Sequence, residues 1–231
     1  MKKALFLSIL IIQITGVFAQ KFTWKNKEFK AVNTKVEIVI MDGVQVLKVE
    51  RDLIAFPFDE KNIETSTDGP TYVKLTDVAI ENGTIEVKML SRIMENSPFP
   101  AARGFIGVAF RVDQENKNFD AIYLRPSNGR SDDQLRRNHT VQYFSYPDNT
   151  FSRLRREANG LYETYADIGL NEWIDVRIEF QDEKAVLHIN NQKSPSFIVT
   201  KMLGTSKKGS IALWVEIGTV GYFKDLKVTK K

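Results

Sequence analysis

Cysteine is absent from this chain, and histidine occurs only twice, at His139 and His188. Without cysteine there is no disulfide framework, no lipid-anchored cysteine, no thiol nucleophile and no thiolate metal cluster. The two histidines are far apart, no His-x-x-x-His pair or EF-hand loop occurs, and a transition-metal site is not expected. Gly-x-Ser-x-Gly and phosphate-cradling glycine loops are also missing, which argues against serine-hydrolase and nucleotide chemistry. A dominant charge sign is lacking too. Lys and Arg number 33 against 29 Asp and Glu, a formal net charge of +4. Loss of Lys2 and Lys3 with a leader would lower that to +2, too little to mark a nucleic-acid-binding domain.

One apolar run is present, at the N-terminus. Lys2 and Lys3 precede Ala4 to Ile14, and Val17-Phe18-Ala19 places small residues at −3 and −1 before Gln20. This order predicts a secretory signal peptide over residues 1–19, followed by one domain over 20–231. The run is short for a span of about 20 residues, so no membrane anchor is expected to survive cleavage. A cysteine-free secreted chain suits a bacterial periplasm or exterior.

Beyond the leader, strand signals dominate. Lys35–Ile40 and Val44–Arg51 flank Asp42-Gly43, and Trp173–Gln181 and Lys184–Asn190 flank Asp182-Glu183, both in hairpin spacing. Ile80–Leu90 holds the turn Asn82-Gly83. Further strands are expected over Gly104–Val112, Phe119–Arg125, Thr140–Tyr146, Tyr162–Asp167, Gly209–Glu216 and Tyr222–Val228. Single helical turns are expected at most, around Pro100–Arg103 or Ile198–Leu203, while Ile54–Pro70 and Ser91–Ala102 read as loops. The fold class is therefore all-β, a two-sheet antiparallel β-sandwich or jelly roll.

Alternation then assigns faces. Ile106, Val108 and Phe110, Ile122 and Leu124, and Ile211, Leu213 and Val215 form aliphatic faces suited to a core. The opposite faces carry Gly107, Ala109 and Arg111; Ala121, Tyr123 and Arg125; Ala212, Trp214 and Glu216. Small residues beside aromatics and charges suggest a low floor with flat apolar surfaces and planar hydrogen-bonding groups, which suits sugars. The Arg-rich stretch 123–156 adjoins that face, with arginines at 125, 130, 136, 137, 153, 155 and 156. Of these, Arg153, Arg155 and Arg156 have nothing tying them to the floor and read equally well as surface charge. The predicted ligand-binding set is Arg111, Tyr123, Arg125, Asn128, Arg130, Arg137, Gln142 and Trp214. A structural alternative stays open: Arg111 or Arg125 pairing with Asp132, Asp133 or Glu216 to anchor the loop.

The order of Asn82–Val87, Gly104–Arg111, Phe119–Pro126, Asn171–Ile178, Lys184–Asn190 and Gly221–Val228 resembles the concanavalin A-like lectin/glucanase superfamily, the laminin-G-like and family-16 glycosidase jelly roll. The resemblance extends to secreted bacterial keto-disaccharide hydrolase-like domains. It implies two twisted sheets with a glycan-binding concave face, and an oligo- or polysaccharide as partner. It does not imply an activity. The Glu-x-Asp-x-x-Glu or Glu-x-Asp-x-Glu run that family-16 enzymes carry on one strand is missing from this chain. Asp132 and Glu216 are the remaining catalytic candidates for a two-carboxylate mechanism. Laminin-G-like relatives often hold calcium, for which Asp148 and Asn149 offer oxygens; no other cofactor is expected. Carbohydrate recognition is the leading expectation, with a glycoside hydrolase and a protein-binding adhesion module as alternatives.

Overall fold

The computed structural model describes residues 21–231; the expected signal peptide lies outside the described residues. Strands β1 (Lys21–Trp24) and β2 (Lys27–Val32) form a hairpin, as do β3 (Thr34–Met41) and β4 (Val44–Arg51). At the second turn Asp42 and Gly43 both have positive φ, 50° and 76°, which the Asp-Gly pair adopts at low cost. A loop with the short helix α1 (Ile63–Ser66) leads to β5 (Tyr72–Leu75) and β6 (Gly83–Ile93). Then follow β7 (Ile106–Val112), β8 (Phe119–Leu124), helices α2 (Pro126–Gly129) and α3 (Gln134–Asn138), and β9 (Val141–Tyr146). Helix α4 (Phe151–Glu157), β10 (Glu163–Thr164), β11 (Ile174–Gln181), β12 (Lys184–Ile189), β13 (Phe197–Val199), β14 (Ser210–Val215) and β15 (Thr219–Lys230) complete the chain.

These strands make two antiparallel sheets. One has eight strands in the order β1-β2-β5-β14-β7-β8-β9-β10, and the other has seven, β13-β12-β11-β6-β15-β4-β3. The expected two-sheet sandwich is what the chain forms. Its core lies between the sheets, where Phe110 stacks on Phe180 at 4.8 Å between centroids and Val108, Ile122 and Ile178 are buried. Burying each such side chain contributes about 1.5–3 kcal/mol.

The outer face of the eight-stranded sheet holds a second apolar layer. Trp214, Gly107, Tyr123 and Gln142 lie side by side across β14, β7, β8 and β9. A Cβ on Gly107 would stand 2.5 Å from Cβ of Tyr123, so glycine here lets the Tyr123 and Trp214 rings close to 5.0 Å. Phe144 packs against both, at 5.7 and 5.5 Å. This layer is roofed. Gly69 O accepts from Trp214 Nε1 at 2.9 Å, and Leu154 of α4 joins the same buried cluster. The low floor expected from Ala109, Ala121 and Ala212 is therefore packed with aromatic rings and closed to solvent.

Two differences from the expected elements bear on the site. The expected turns at Pro100–Arg103 and Ile198–Leu203 are not helical, whereas α2, α3 and α4 all fall in the Arg-rich stretch. The pairing of β7 with β14 also shifts register between Ser210 and Ala212, and Arg111 takes φ of 52°. This bulge breaks the two-residue alternation at Arg111.

Candidate functional site

At the end of β8 and β14 the roof opens into a cavity of about 270 Å³. Each neighbouring element contributes to it for a local reason. Pro126 starts α2, with the φ that the first helical position needs, and Asn128 follows it into the wall. Asp133 caps α3 by accepting from Leu135 N and Arg136 N at 2.9 and 3.2 Å, which positions Arg136 and the following His139. Helix α4 brings Phe151 and Arg155, and the loop before β7 brings Phe99, Arg103 and Phe105. Opposite them, the loop before β5 brings Ile63, Thr67 and Asp68.

Arg125 is the centre of the polar wall. Its Nη1 donates to His139 O at 2.9 Å and Glu163 Oε1 at 3.2 Å. Its Nη2 donates to Tyr123 Oη at 2.5 Å and Gln142 Oε1 at 3.3 Å. Glu163 also accepts from Arg155, at 3.1 Å from Nε, and lies 2.9 Å from His139 Nδ1. Burial opposes ionisation of Glu163, but Arg155 and Arg125 outweigh it and hold the carboxyl below its usual range. Burial also pushes the His139 imidazole down, against the pull of Glu163, so it is neutral at neutral pH.

Two more carboxyls lie on the other side. Glu216 is committed: it pairs with Arg51 and accepts from Ile217 N at 2.7 Å and Asp68 N at 2.8 Å. Asp68 is 1 % exposed, has φ of 54°, and accepts from Phe151 N at 2.6 Å through Oδ2. Burial, reinforced by the Glu216 charge, raises its pKa to about 7 against the pull of the Phe151 amide. Asp68 is thus the cavity carboxyl poised between charged and neutral forms near neutral pH.

The predicted residues divide into two groups. Tyr123, Arg125, Asn128, Trp214 and Glu216 all border the cavity. Trp214 is 0 % and Tyr123 2 % exposed, however, so neither offers the free stacking face that alternation suggested. The half-buried Phe99, Phe105 and Phe151 supply the accessible apolar walls. Arg111 is elsewhere. The bulge turns it toward the core side, over the Phe180 ring, where it donates to Glu81 O at 2.9 Å and Asp182 O at 2.7 Å. Arg130 is exposed and pairs with Asp167 and Glu172, and Arg137 donates to Tyr165 Oη. Gln142 is sealed beneath Arg125 and donates to the Tyr143 and Tyr162 carbonyls. Asp132 is an exposed loop residue away from the cavity. The expected Arg–carboxylate anchors are real but differently matched: Arg125 meets Glu163, and Glu216 meets Arg51.

Arg155, which the sequence left equally open as surface charge, is a cavity residue. Asp68, Phe99, Arg103 and Arg136 were missed as well. The Thr67-Asp68-Gly69-Pro70 turn and the Asp133 cap are the local signals that mark two of these loops as structured. His188 is on the outer face but 8 % exposed, with Nδ1 3.1 Å from Gln192 O. Among the described residues, no group of three or more His, Asp or Glu is arranged to hold a metal, around Asp148 and Asn149 included. Among the same residues, no helix is long and apolar enough to cross a membrane.

No protein-family model and no curated protein matches this chain. Solved structures do. The carbohydrate binding module CBM66 from Bacillus subtilis superposes with a TM-score of 0.57 at 14% identity, over 87% of this chain and 95% of that one. The chain has the concanavalin A-like jelly-roll fold. A lichenase derived from a mouse hindgut metagenome aligns to this jelly roll with a TM-score of 0.46 at 12% identity, over 84% of this chain and 82% of that one. Domain 4 of a Geobacillus stearothermophilus extracellular arabinanase, in complex with arabinotriose, gives 0.45 at 11%, over 85% and 75%.

Proposed function

We propose that this protein is a secreted carbohydrate-binding protein that takes a sugar unit or chain end into the cavity beside β8 and β14. The observation that carries this reading is the pairing of two kinds of wall. Half-buried Phe99, Phe105 and Phe151 offer ring faces to sugar C–H groups, and Asn128, Arg103, Arg136 and His139 offer planar polar groups opposite. Arg125 and Glu163 hold that polar wall in place before any ligand arrives, which lowers the cost of ordering it on binding. The volume, about 270 Å³, suits a single sugar ring better than a long chain, and the roof from Gly69 to α4 closes the path across the sheet. The reading agrees with the carbohydrate-binding role in the name of the Bacillus subtilis module. Secretion rests on the leader pattern of residues 1–19.

Binding to an oligosaccharide array, followed by calorimetry on the hits, tests this. Phe99→Ala should weaken binding by about tenfold or more, the loss of roughly 1.4 kcal/mol of stacking and burial, with an unchanged melting temperature. Equal binding by wild type and the variant would refute the site.

One observation favours a second reading. Asp68 borders the cavity with a pKa raised to about 7, the range that a proton donor for glycosidic cleavage needs. Its partner would not be Glu216, whose oxygens are all engaged, nor the distant Asp132. Sugar release abolished by Asp68→Asn, with binding retained, would establish this reading; binding without turnover across the array hits would dismiss it.

A further inference from the structure

The charges around the cavity do not balance within the protein. Arg125 and Arg155 share one carboxylate, Glu163. Glu216 is occupied by Arg51, and Asp68, the third cavity carboxyl, accepts from Phe151 N and pairs with neither Arg103 nor Arg136. Arg103 and Arg136, both in the cavity wall, have no carboxylate partner among the described residues, and Arg103 donates only to the adjacent Ala102 carbonyl. Burial and the fields of Arg136 and Arg125 push the Arg103 guanidinium below its ordinary pKa, a sign that the cations repel one another there. Arg136 Nε is buried with no acceptor among the described residues, and Asn128 Oδ1 is buried with no donor among them. The amide orientation at Asn128 follows from its Nδ2, which donates to His139 O at 3.2 Å. Buried polar groups are nearly always paired, and here a lone donor and a lone acceptor border the same small space.

Two other hollows among the described residues hold no buried polar side-chain atom left without a partner. The groove on the outer face of the seven-stranded sheet is lined by charges that pair with each other, Lys88 with Asp175 and Lys227 with Glu86. The hollow over β2, β5 and β14 has Lys21, Lys30 and Lys208 at its solvated rim, and its one buried lysine, Lys74, is engaged by Asn116 Oδ1 and the Asp113 carbonyl.

We propose that the sugar bound in the cavity carries an anionic group, a uronate carboxylate or a sulfate ester, seated between Arg103 and Arg136, with a hydroxyl donating to Asn128 Oδ1. This rests on the carbohydrate reading above. Planar guanidiniums match the oxygens of either anion with two parallel hydrogen bonds. The aromatic walls that oppose them disfavour a bare inorganic anion, which has no apolar face to cover.

Matched pairs decide it: uronate oligosaccharides against their methyl esters, and sulfated oligosaccharides against their desulfated forms, each titrated calorimetrically. The charged member of a pair should bind at least about tenfold more tightly than its neutral partner, and Arg136→Gln and Arg103→Gln should each erase that preference without lowering the melting temperature. Arg136→Lys should restore only part of it, because an ammonium cannot make the bidentate contact. Preference within the uronate or the sulfate pairs identifies the anion. Equal affinity for charged and neutral sugars would overturn the proposal and leave carbohydrate binding standing. A panel in which no sugar binds, or an aspartate-rich peptide binding more tightly than any sugar, would remove both.

Discussion

Trp214→Ala removes a side chain that is 0 % exposed, packed on Tyr123 and Phe144, and hydrogen-bonded to Gly69 O. It is expected to cost about 3–5 kcal/mol of stability, as large aromatic deletions in cores do, measured by denaturant unfolding. Phe99, half-buried at the cavity, should instead affect binding alone. Arg111→Ala gives the converse check. Its guanidinium ties the loops at Glu81 and Asp182 together, so the substitution should destabilise by about 1–3 kcal/mol and leave saccharide affinity unchanged. Two residues that alternation put in one row thus belong to different parts of the molecule. The period of two was legible in the sequence; the bulge that interrupts it at Arg111 depends on pairing with β14 and was not.

Among elements, α4 and β10 act together. Glu163 at the start of β10 accepts from Arg155 of α4 and from Arg125 at the end of β8. Glu163→Gln leaves two guanidiniums without their shared carboxylate, and breaking a buried pair in this way costs about 3–5 kcal/mol. Amide hydrogen exchange over 151–157 should then rise first, since α4 is held to the sheet through Arg155, Leu154 and the Phe151 N–H contact with Asp68. Unchanged protection of α4 in a folded variant would show that Leu154 packing and the Phe151–Asp68 hydrogen bond suffice to hold it. No helical period in the sequence marks this role, because α4 has only seven residues and its partners lie on other elements.

For the whole molecule, the cavity carboxyls oppose one another in pH dependence. Asp68 prefers its proton when folded, so its stabilising effect is complete below about pH 4 and is lost as the pH rises to about 7. Glu163 and His139 have depressed values in the folded state. Their contributions are present above the unfolded values, near 4.5 and 6.5, and are lost as the pH falls through the folded ones. Asp68→Asn keeps the acceptor for Phe151 N without the charge. It should raise stability at pH 8, by about 4 kcal/mol at most, and change little at pH 4. Thermal unfolding across that range checks both ends, and a variant no more stable than wild type at pH 8 would contradict the buried-charge account of Asp68.

The sequence by itself determined the all-β class, the two-sheet arrangement, the hairpin at Asp42-Gly43 and the aliphatic faces, because each follows from local turn chemistry and a period of two. It also singled out Tyr123, Arg125, Asn128, Trp214 and Glu216 as neighbours of one site. Only the tertiary structure decided which of them face open space. Burial and charge pairing are properties of side chains brought together from distant segments. Gly69 and α4 close the floor, Arg51 claims Glu216, and Glu163 claims Arg125, across separations that no sequence period records. What those pairings leave without a carboxylate partner among the described residues is Arg103 and Arg136, in one cavity wall with three phenylalanines.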